Sequence, residues 1–378
     1  MVQVARDFLS LESPTARRNG AGFRPCQGLW YRPAGRAPEV AFLATHYDVD
    51  FSEHYLAEPL AARGFGFLGF NTRYRGQEGF FLLEHALLDI AVGVRWLREQ
   101  ARVRTLVLLG NSGGGSLLAA YQSLAHEPDL APIFPGHRIP EALRELPPAD
   151  LYVSLNAHPG RPEVLTAWMD PSVTDEADPL SRDPELDAFD PRHGPPFSRE
   201  FEDRYRAAQE ARNHRITAWV REELDRLRVG GAWDRVFPVF RTWADLRFLD
   251  PGLDPSERPP GRCYAGDPRR ANGTPFGIAR APTLRTWLSM WSLETSPCRG
   301  ELHLPRIREP ALVIQSLGDT GVFPGDARRI HEHLGSDDRT LLFVPGDHYL
   351  EEPPEAREEV ADRIATWVRA RLPTCSAA

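Results

Sequence analysis

A serine that acts as a nucleophile needs a base to take its proton, an acid to orient that base, and donors for the oxyanion that forms. The stretch Gly110-Asn111-Ser112-Gly113-Gly114 offers the serine. It lies between a short apolar run, Val103 to Leu109, and an apolar segment of helical character, Leu117 to Ala125. Gly-x-Ser-x-Gly in that setting forces the serine onto a sharp, strained turn, and the flanking glycines remove clashes that bulkier neighbours would make. The turn lifts the hydroxyl out of the sheet, while unpaired N–H groups at the helix start point at the same spot. The Gly113 amide is thereby placed to hold an oxyanion. The competing reading is a glycine-rich turn without chemistry, or a phosphate loop. A Walker loop requires a lysine after its last glycine, and this chain contains no lysine; Gly-x-Gly-x-x-Gly is not matched either.

Two complementary groups follow in the chain. Ala311 to Ser316 is an apolar run that ends in Gly318-Asp319-Thr320, and Thr340 to Val344 ends in Gly346-Asp347-His348. Serine, acid and histidine, in the order Ser112, Asp319, His348, each sit just past an apolar run of strand length, the edge at which open α/β sheets build sites. Histidine titrates in the range needed to accept a serine proton, and the imidazolium needs an oriented carboxylate. Asp170, after the run Leu151 to Ala157, is the alternative acid, and Asp319 is preferred because it directly follows a strand. His46 reads as a structural hydrogen-bonder. His331 and His333 face apart on a helix, so no metal pair is expected. Arg73 and Arg75 read as solvated or ion-paired, or as a hold for a substrate carboxylate.

The elements that must position these residues are legible in order. Gly28 to Arg32, Val40 to Thr45, Phe65 to Phe70, Val103 to Leu109 and Leu151 to Ala157 read as strands. Between them, a helix runs from an N-cap at Ser52 to Arg63, closed by Gly64, and a second spans Leu82 to Gln100. Solid apolar runs alternating with helices predict a mostly parallel, doubly wound α/β sheet buried on both faces. Met1 to Ala21 carries little signal. From His158 to about Arg306 the alternation stops. Asp-Pro pairs mark turns there, Arg199 to Leu227 is a long helix, and Trp233, Phe237, Trp243, Trp287 and Trp291 make the segment aromatic-rich. The expected division is a core of residues 1–158 and 306–378 with an inserted, mainly helical cap at 159–305. Helices at Pro324 to Leu334 and Pro354 to Arg371 complete the core.

The chain has 378 residues and a net charge of −8, enough for a full core and a weak argument against nucleic acid as partner. Without lysine, Schiff-base and pyridoxal-phosphate chemistry are excluded. Cys26, Cys263, Cys298 and Cys375 are scattered, which fits neither a zinc site nor a disulfide scaffold. Arg17-Arg18 is not followed by an apolar stretch of the secretory type, and no run is long enough to span a bilayer. The expectation is a soluble cytoplasmic protein.

With Gly110-Asn111-Ser112-Gly113-Gly114, Gly318-Asp319-Thr320, Gly346-Asp347-His348 and the turn at His46-Tyr47, the chain resembles the α/β-hydrolase superfamily over Val40 to His158 and Pro310 to Arg371. The resemblance implies that Ser112 is the nucleophile, Asp319 the acid and His348 the base, with the Tyr47 and Gly113 amides as the oxyanion hole. Asn71 to Gly76 looks like a degenerate form of the family's Asp-x-Arg-Gly-x-Gly turn. Tyr47 stands where the family usually has glycine, and its side chain is expected to narrow the pocket. His46, Arg73 and Asn111 are the candidates for substrate contact. The reading is a serine hydrolase without metal or organic cofactor that cleaves an ester or related acyl bond of a small, bulky, apolar substrate, since the cap is aromatic. A thioesterase, a carbon–carbon bond hydrolase and a non-catalytic binding protein on the same scaffold stand as alternatives, and a homodimer is left open.

Overall fold

The computed structural model describes residues 2–16, 25–128 and 140–372; Arg17, Arg18 and Cys375 lie outside them. Eight strands form one sheet in the order β1-β2-β4-β3-β5-β6-β7-β8. They are β1 (Val4–Leu11), β2 (Cys26–Pro33), β3 (Val40–Ala44), β4 (Gly66–Asn71), β5 (Thr105–Asn111), β6 (Leu151–Leu155), β7 (Ala311–Ser316) and β8 (Arg339–Val344). The first two pairings, β1 with β2 and β2 with β4, are antiparallel, and every later one is parallel. The doubly wound α/β sheet expected from the sequence is therefore present, with one strand more. β1 escaped notice because it is an edge strand with no fully buried residue, so it lacks the solid apolar run that marks its neighbours.

Burial on both faces explains the apolar runs. Along β5, Leu106 and Leu108 pack with Leu87, Ile90 and Val94 of α2 (Leu83–Glu99) and Leu117 and Tyr121 of α3 (Gly114–His126). Val107 and Leu109 face the other way, with Leu60 of α1 (Ala57–Ala62) and with Val360 and Ile364 of the C-terminal helix Ala356–Arg369. At about 25 cal/mol per Å² of apolar surface removed from water, these two layers supply the main drive to fold. Helix α1 starts later than its sequence suggests. Ser52 is no N-cap, because its hydroxyl accepts from Asn71 Nδ2 (2.9 Å) and the chain turns until Leu56. Gly64 does follow the helix in the left-handed region, at φ 96°.

Residues 159–305 connect β6 to β7 and contain α4 (Arg161–Trp168) and the long α5 (Arg199–Val229). Ser198 caps α5, its Oγ accepting from the Phe201 amide at 3.2 Å. Ile216, Val220, Phe237, Trp287 and Trp291 of this segment join the same apolar cluster as α2 and α3, so packing is continuous between segment and sheet. Trp219 is 38% exposed, and Trp233 is 88% exposed. No helix among the described residues is long and apolar enough to cross a membrane.

One buried group in this framework predicts an acid sensitivity. His303 is fully buried, its Nε2–H donates to the Pro297 carbonyl at 2.8 Å, and its Nδ1 has no partner. Burial pushes its pKa down to about 4 from 6.5. The unfolded chain takes that proton first, so this stability is whole above about pH 6.5 and is lost as pH falls towards 4. The expected loss at pH 5 is about 2 kcal/mol from this group alone. Urea melts at pH 7 and 5 measure it, and His303→Asn is expected to reduce the difference.

Candidate active site

The serine turn is built by close backbone approach. Ser112 has φ 55°, a left-handed conformation that costs of order 1–3 kcal/mol in a non-glycine residue. It is held by its own N–H, which donates to the Leu155 and Asn156 carbonyls, each at 3.1 Å. Gly114 passes so close to β3 that a Cβ there would lie 2.3 Å from the Thr45 carbonyl oxygen. At Gly110 a Cβ would lie 2.6 Å from Gly115 Cα. Both glycines of the motif are thus fixed by contact between strand, turn and helix.

The loops after β7 and β8 bring the acid to the base. His348 Nδ1 and Asp319 Oδ2 are 2.6 Å apart and both residues are buried. The other carboxylate oxygen, Oδ1, accepts from the Gly321 amide (2.9 Å), the Val322 amide (3.0 Å) and the Tyr264 hydroxyl (3.0 Å). The Tyr264 Oη also lies 2.8 Å from His348 Nδ1. Since the phenol proton goes to Asp319, the Nδ1–H is shared between Asp319 Oδ2 and the phenol oxygen, which leaves Nε2 as the basic nitrogen. Asn156 ties the parts together. Its Nδ2 donates to the His348 carbonyl (3.1 Å) and to Ser316 Oγ (2.9 Å), and its Oδ1 accepts from the Ser316 amide (2.7 Å).

Ser112 and His348 line one cavity of about 400 Å³, together with His46, Asp48, Glu78, His158, Arg161, Trp168, Trp243, Tyr264, Arg280 and Tyr349. The hydrogen-bonding partners of the His348 ring among the described residues are Asp319 and Tyr264, and the contact between a base and its serine commonly tightens only when substrate is bound. Neither the Tyr47 nor the Gly113 amide donates to another backbone carbonyl among the described residues. The Tyr47 side chain does not narrow the cavity. It is fully buried, turned inward with its hydroxyl 3.0 Å from Ser116 Oγ and its ring against Phe81. Burial raises its pKa well above the usual phenol range.

His46 lines the cavity, with its Nδ1 accepting from the Asp48 (3.3 Å) and Val49 (3.2 Å) amides. Burial lowers its pKa, only partly offset by Asp48, so the neutral ring carries its proton on Nε2, next to Gly113. His158 is buried beside it and its pKa is pushed well below the usual range, by burial first and then by Arg161. Glu78 goes the other way. Burial and the neighbouring Asp48 raise its carboxyl to about 7.

Four candidate readings of the sequence are corrected here. Arg73 is committed to the fully buried Asp89 through Nε (2.8 Å) and Nη2 (2.6 Å), with Ser13 and Thr15 at 2.7 Å, and does not line the cavity. Asn111 points away from it, donating to the Leu155 carbonyl (3.0 Å) and bonded to His54 Nε2 (3.2 Å). Asp170 is the counterion of Arg241 (2.6 Å) and accepts from Asn272 (2.8 Å), so it is not the acid of His348. Nor is the cavity apolar. Its aromatic side is matched by ionisable side chains, because Asp48, Glu78, Arg161 and Arg280 also face it. Tyr264, Asn156, Arg161 and Glu78 were not singled out from the sequence. Only Arg161 carried a usable signal, as a charged residue soon after the end of an apolar strand.

No protein-family model and no curated protein sequence matches the chain. The solved structure of DcsB in complex with its substrate analogue is similar over 96% of this chain and 99% of its own, at 14% identity and a TM-score of 0.52. The esterase domain of a Rhodothermus marinus protein aligns over 97% of this chain and 99% of its own, at 13% identity and a TM-score of 0.44. The dienelactone hydrolase from Anabaena variabilis ATCC 29413 aligns over 98% and 100%, at 12% identity and 0.45. At such identities the likeness concerns architecture: this chain has the α/β-hydrolase fold.

Proposed function

We propose that this α/β-hydrolase fold carries a serine hydrolase that cleaves carboxylic esters of small molecules through an acyl-enzyme. The observation that supports this most is the 2.6 Å pair of His348 and Asp319 on the same cavity as the strained Ser112. In this reading His348 Nε2 takes the Ser112 proton as Oγ attacks the ester carbonyl, and Asp319 stabilises the imidazolium. The oxyanion rests on the Gly113 and Tyr47 amides. The imidazolium then protonates the leaving alcohol, and a water activated by the same nitrogen releases the acid. The sequence needs no metal or organic cofactor. Residues 159–305 act as the cap in this reading, which is supported by Trp168, Trp243 and Tyr264 lining the cavity together with Ser112. Hydrolysis of p-nitrophenyl esters over a range of acyl lengths tests the reading, with turnover expected for at least part of the series. A protein that turns over none of them and is inert to serine-directed phosphonates contradicts it.

Tyr264 is a positioning residue in this scheme, acting through Asp319 and His348. Tyr264→Phe removes one donor from Asp319 Oδ1 and the oxygen beside His348 Nδ1, so the pair is held less firmly. The expected result is a fall of about tenfold in kcat at neutral pH, roughly the value of one hydrogen bond to a charged group, with KM little changed. A loss of packing alone lowers the melting temperature and leaves kcat per folded molecule in place.

A further inference from the structure

Arg161 has more donors than the protein uses. Its side chain is 3% exposed, at the start of α4, and its guanidinium lies 5.0 Å from the Tyr47 ring and 4.5 Å from that of Trp291. Nη2 donates to Glu78 Oε1 at 2.8 Å, while Nε is buried without an acceptor. Nη1 has no hydrogen-bond partner among the described residues and sits 3.1 Å from where a Gly113 Cβ would be. Gly113 follows the nucleophile, so the space left by its missing side chain opens a charged donor onto the reacting centre. Glu78 cannot turn to meet it, because its second oxygen already accepts from the Ala279 amide at 3.0 Å. A second cation, Arg280, lines the same cavity and has no carboxylate within ion-pair distance among the described residues. Asp48 stands on the same wall, its carboxylate 3.3 Å from His46 Nδ1. With the Glu78 carboxyl raised to about 7, this wall carries more positive than negative charge near neutral pH.

A desolvated arginine fixed between rings, with an open edge of its fork, is built for a planar anion, and a carboxylate meets that edge with charge-assisted hydrogen bonds. Leaving a buried charge short of partners is costly, which favours a ligand that completes it. We propose that Arg161, aided by Arg280, holds a carboxylate on the substrate close to the scissile ester, so that the preferred substrates are hemiesters of dicarboxylic acids or acylated hydroxy acids. This rests on the serine-hydrolase reading, and it gives Arg161 the role that the sequence had suggested for Arg73.

The test compares pairs of esters on the wild-type protein. Mono-p-nitrophenyl succinate and glutarate are each set against their methyl esters, and O-acetyl hydroxy acids against theirs. The expected result is a kcat/KM at least about tenfold higher for the free acid in one of the two series, about the effect of one charge-assisted hydrogen bond. In Arg161→Gln the ratio within that pair is expected to fall close to one, mainly through KM. The ratio is unaffected by a general loss of active protein. Should that variant not fold, glutarate is expected to inhibit hydrolysis of a neutral ester by the wild type competitively. Equal rates for acid and methyl ester in both series, or a preference that survives in Arg161→Gln, overturns the proposal. Failure of the underlying reading looks different: Ser112→Ala then hydrolyses the esters as well as wild type, whichever of them is preferred.

Discussion

Ser112→Ala is expected to lower kcat for any ester that the protein hydrolyses by at least about 10⁴-fold, with KM changed little. In the proposed reading this hydroxyl forms the acyl-enzyme, and the neighbouring polar side chains of the turn do not replace it. Asn111 is turned into the fold, and the Ser116 hydroxyl is occupied by Tyr47. A residual rate above that of water is still expected, because the Gly113 and Tyr47 amides and the cavity walls remain in place. The substitution removes one oxygen and keeps the Cβ at a residue whose backbone is held by Leu155 and Asn156, so the strained turn persists and the melting temperature is expected to be unchanged. Steady-state kinetics beside a thermal melt separate the two effects. A fall of less than tenfold removes Ser112 from the chemistry.

Asp319→Asn has the second-largest expected effect, and its size follows from the hydrogen bonds. Oδ1 accepts from three donors, the amides of Gly321 and Val322 and the Tyr264 hydroxyl. An asparagine must keep its carbonyl oxygen there, which turns its NH₂ toward His348 Nδ1. That nitrogen then has to accept, the ring proton moves to Nε2, and the imidazole can no longer take the Ser112 proton. The expected loss is about 10⁴-fold in kcat with little change in KM. The protein is expected to stay folded, since all three donors at Oδ1 keep an acceptor. A full-length circular dichroism spectrum and melt on the same sample verify this. If Asp319→Asn retains more than a tenth of wild-type kcat, the carboxylate is not what orients His348.

How far the site was legible depended on where each residue sits. Ser112 and Asp319 follow β5 and β7, whose apolar runs are dictated by burial on both faces, and His348 follows β8, an edge strand that keeps an apolar run from Leu341 to Val344 although only Val344 is buried, so composition alone located the ends of those strands. β1, the edge strand on the other side, has Arg6 and Asp7 in its middle and no buried residue, so it writes no apolar run. The helix start at Ser52 failed because a serine before an apolar stripe is an N-cap only if its hydroxyl is free, and here Asn71 takes it. Arg73 is ion-paired, one of the two readings its sequence allowed, and its partner was not legible because Asp89 lies inside an amphipathic helix, where a charge usually faces water rather than an arginine below it. Tyr264 stands in an irregular loop that packs on His348 only through the tertiary fold, and periodicity says nothing about such contacts. The aromatic segment suggested an apolar pocket. The structure spends most of those rings on packing instead: Trp287 and Trp291 lie in the main core, and Trp168 stacks on Trp243 at 4.8 Å.

The most direct test of the central claim is covalent labelling with a fluorophosphonate, followed by mass spectrometry of the digested protein. The account predicts one phosphonyl group per chain, on the peptide that contains Ser112, and no label on Ser112→Ala. It also predicts labelling that slows at least about tenfold in Asp319→Asn, since the same base must activate the serine for phosphonylation. A wild-type protein that stays unlabelled, or one labelled at a residue other than Ser112, contradicts the account.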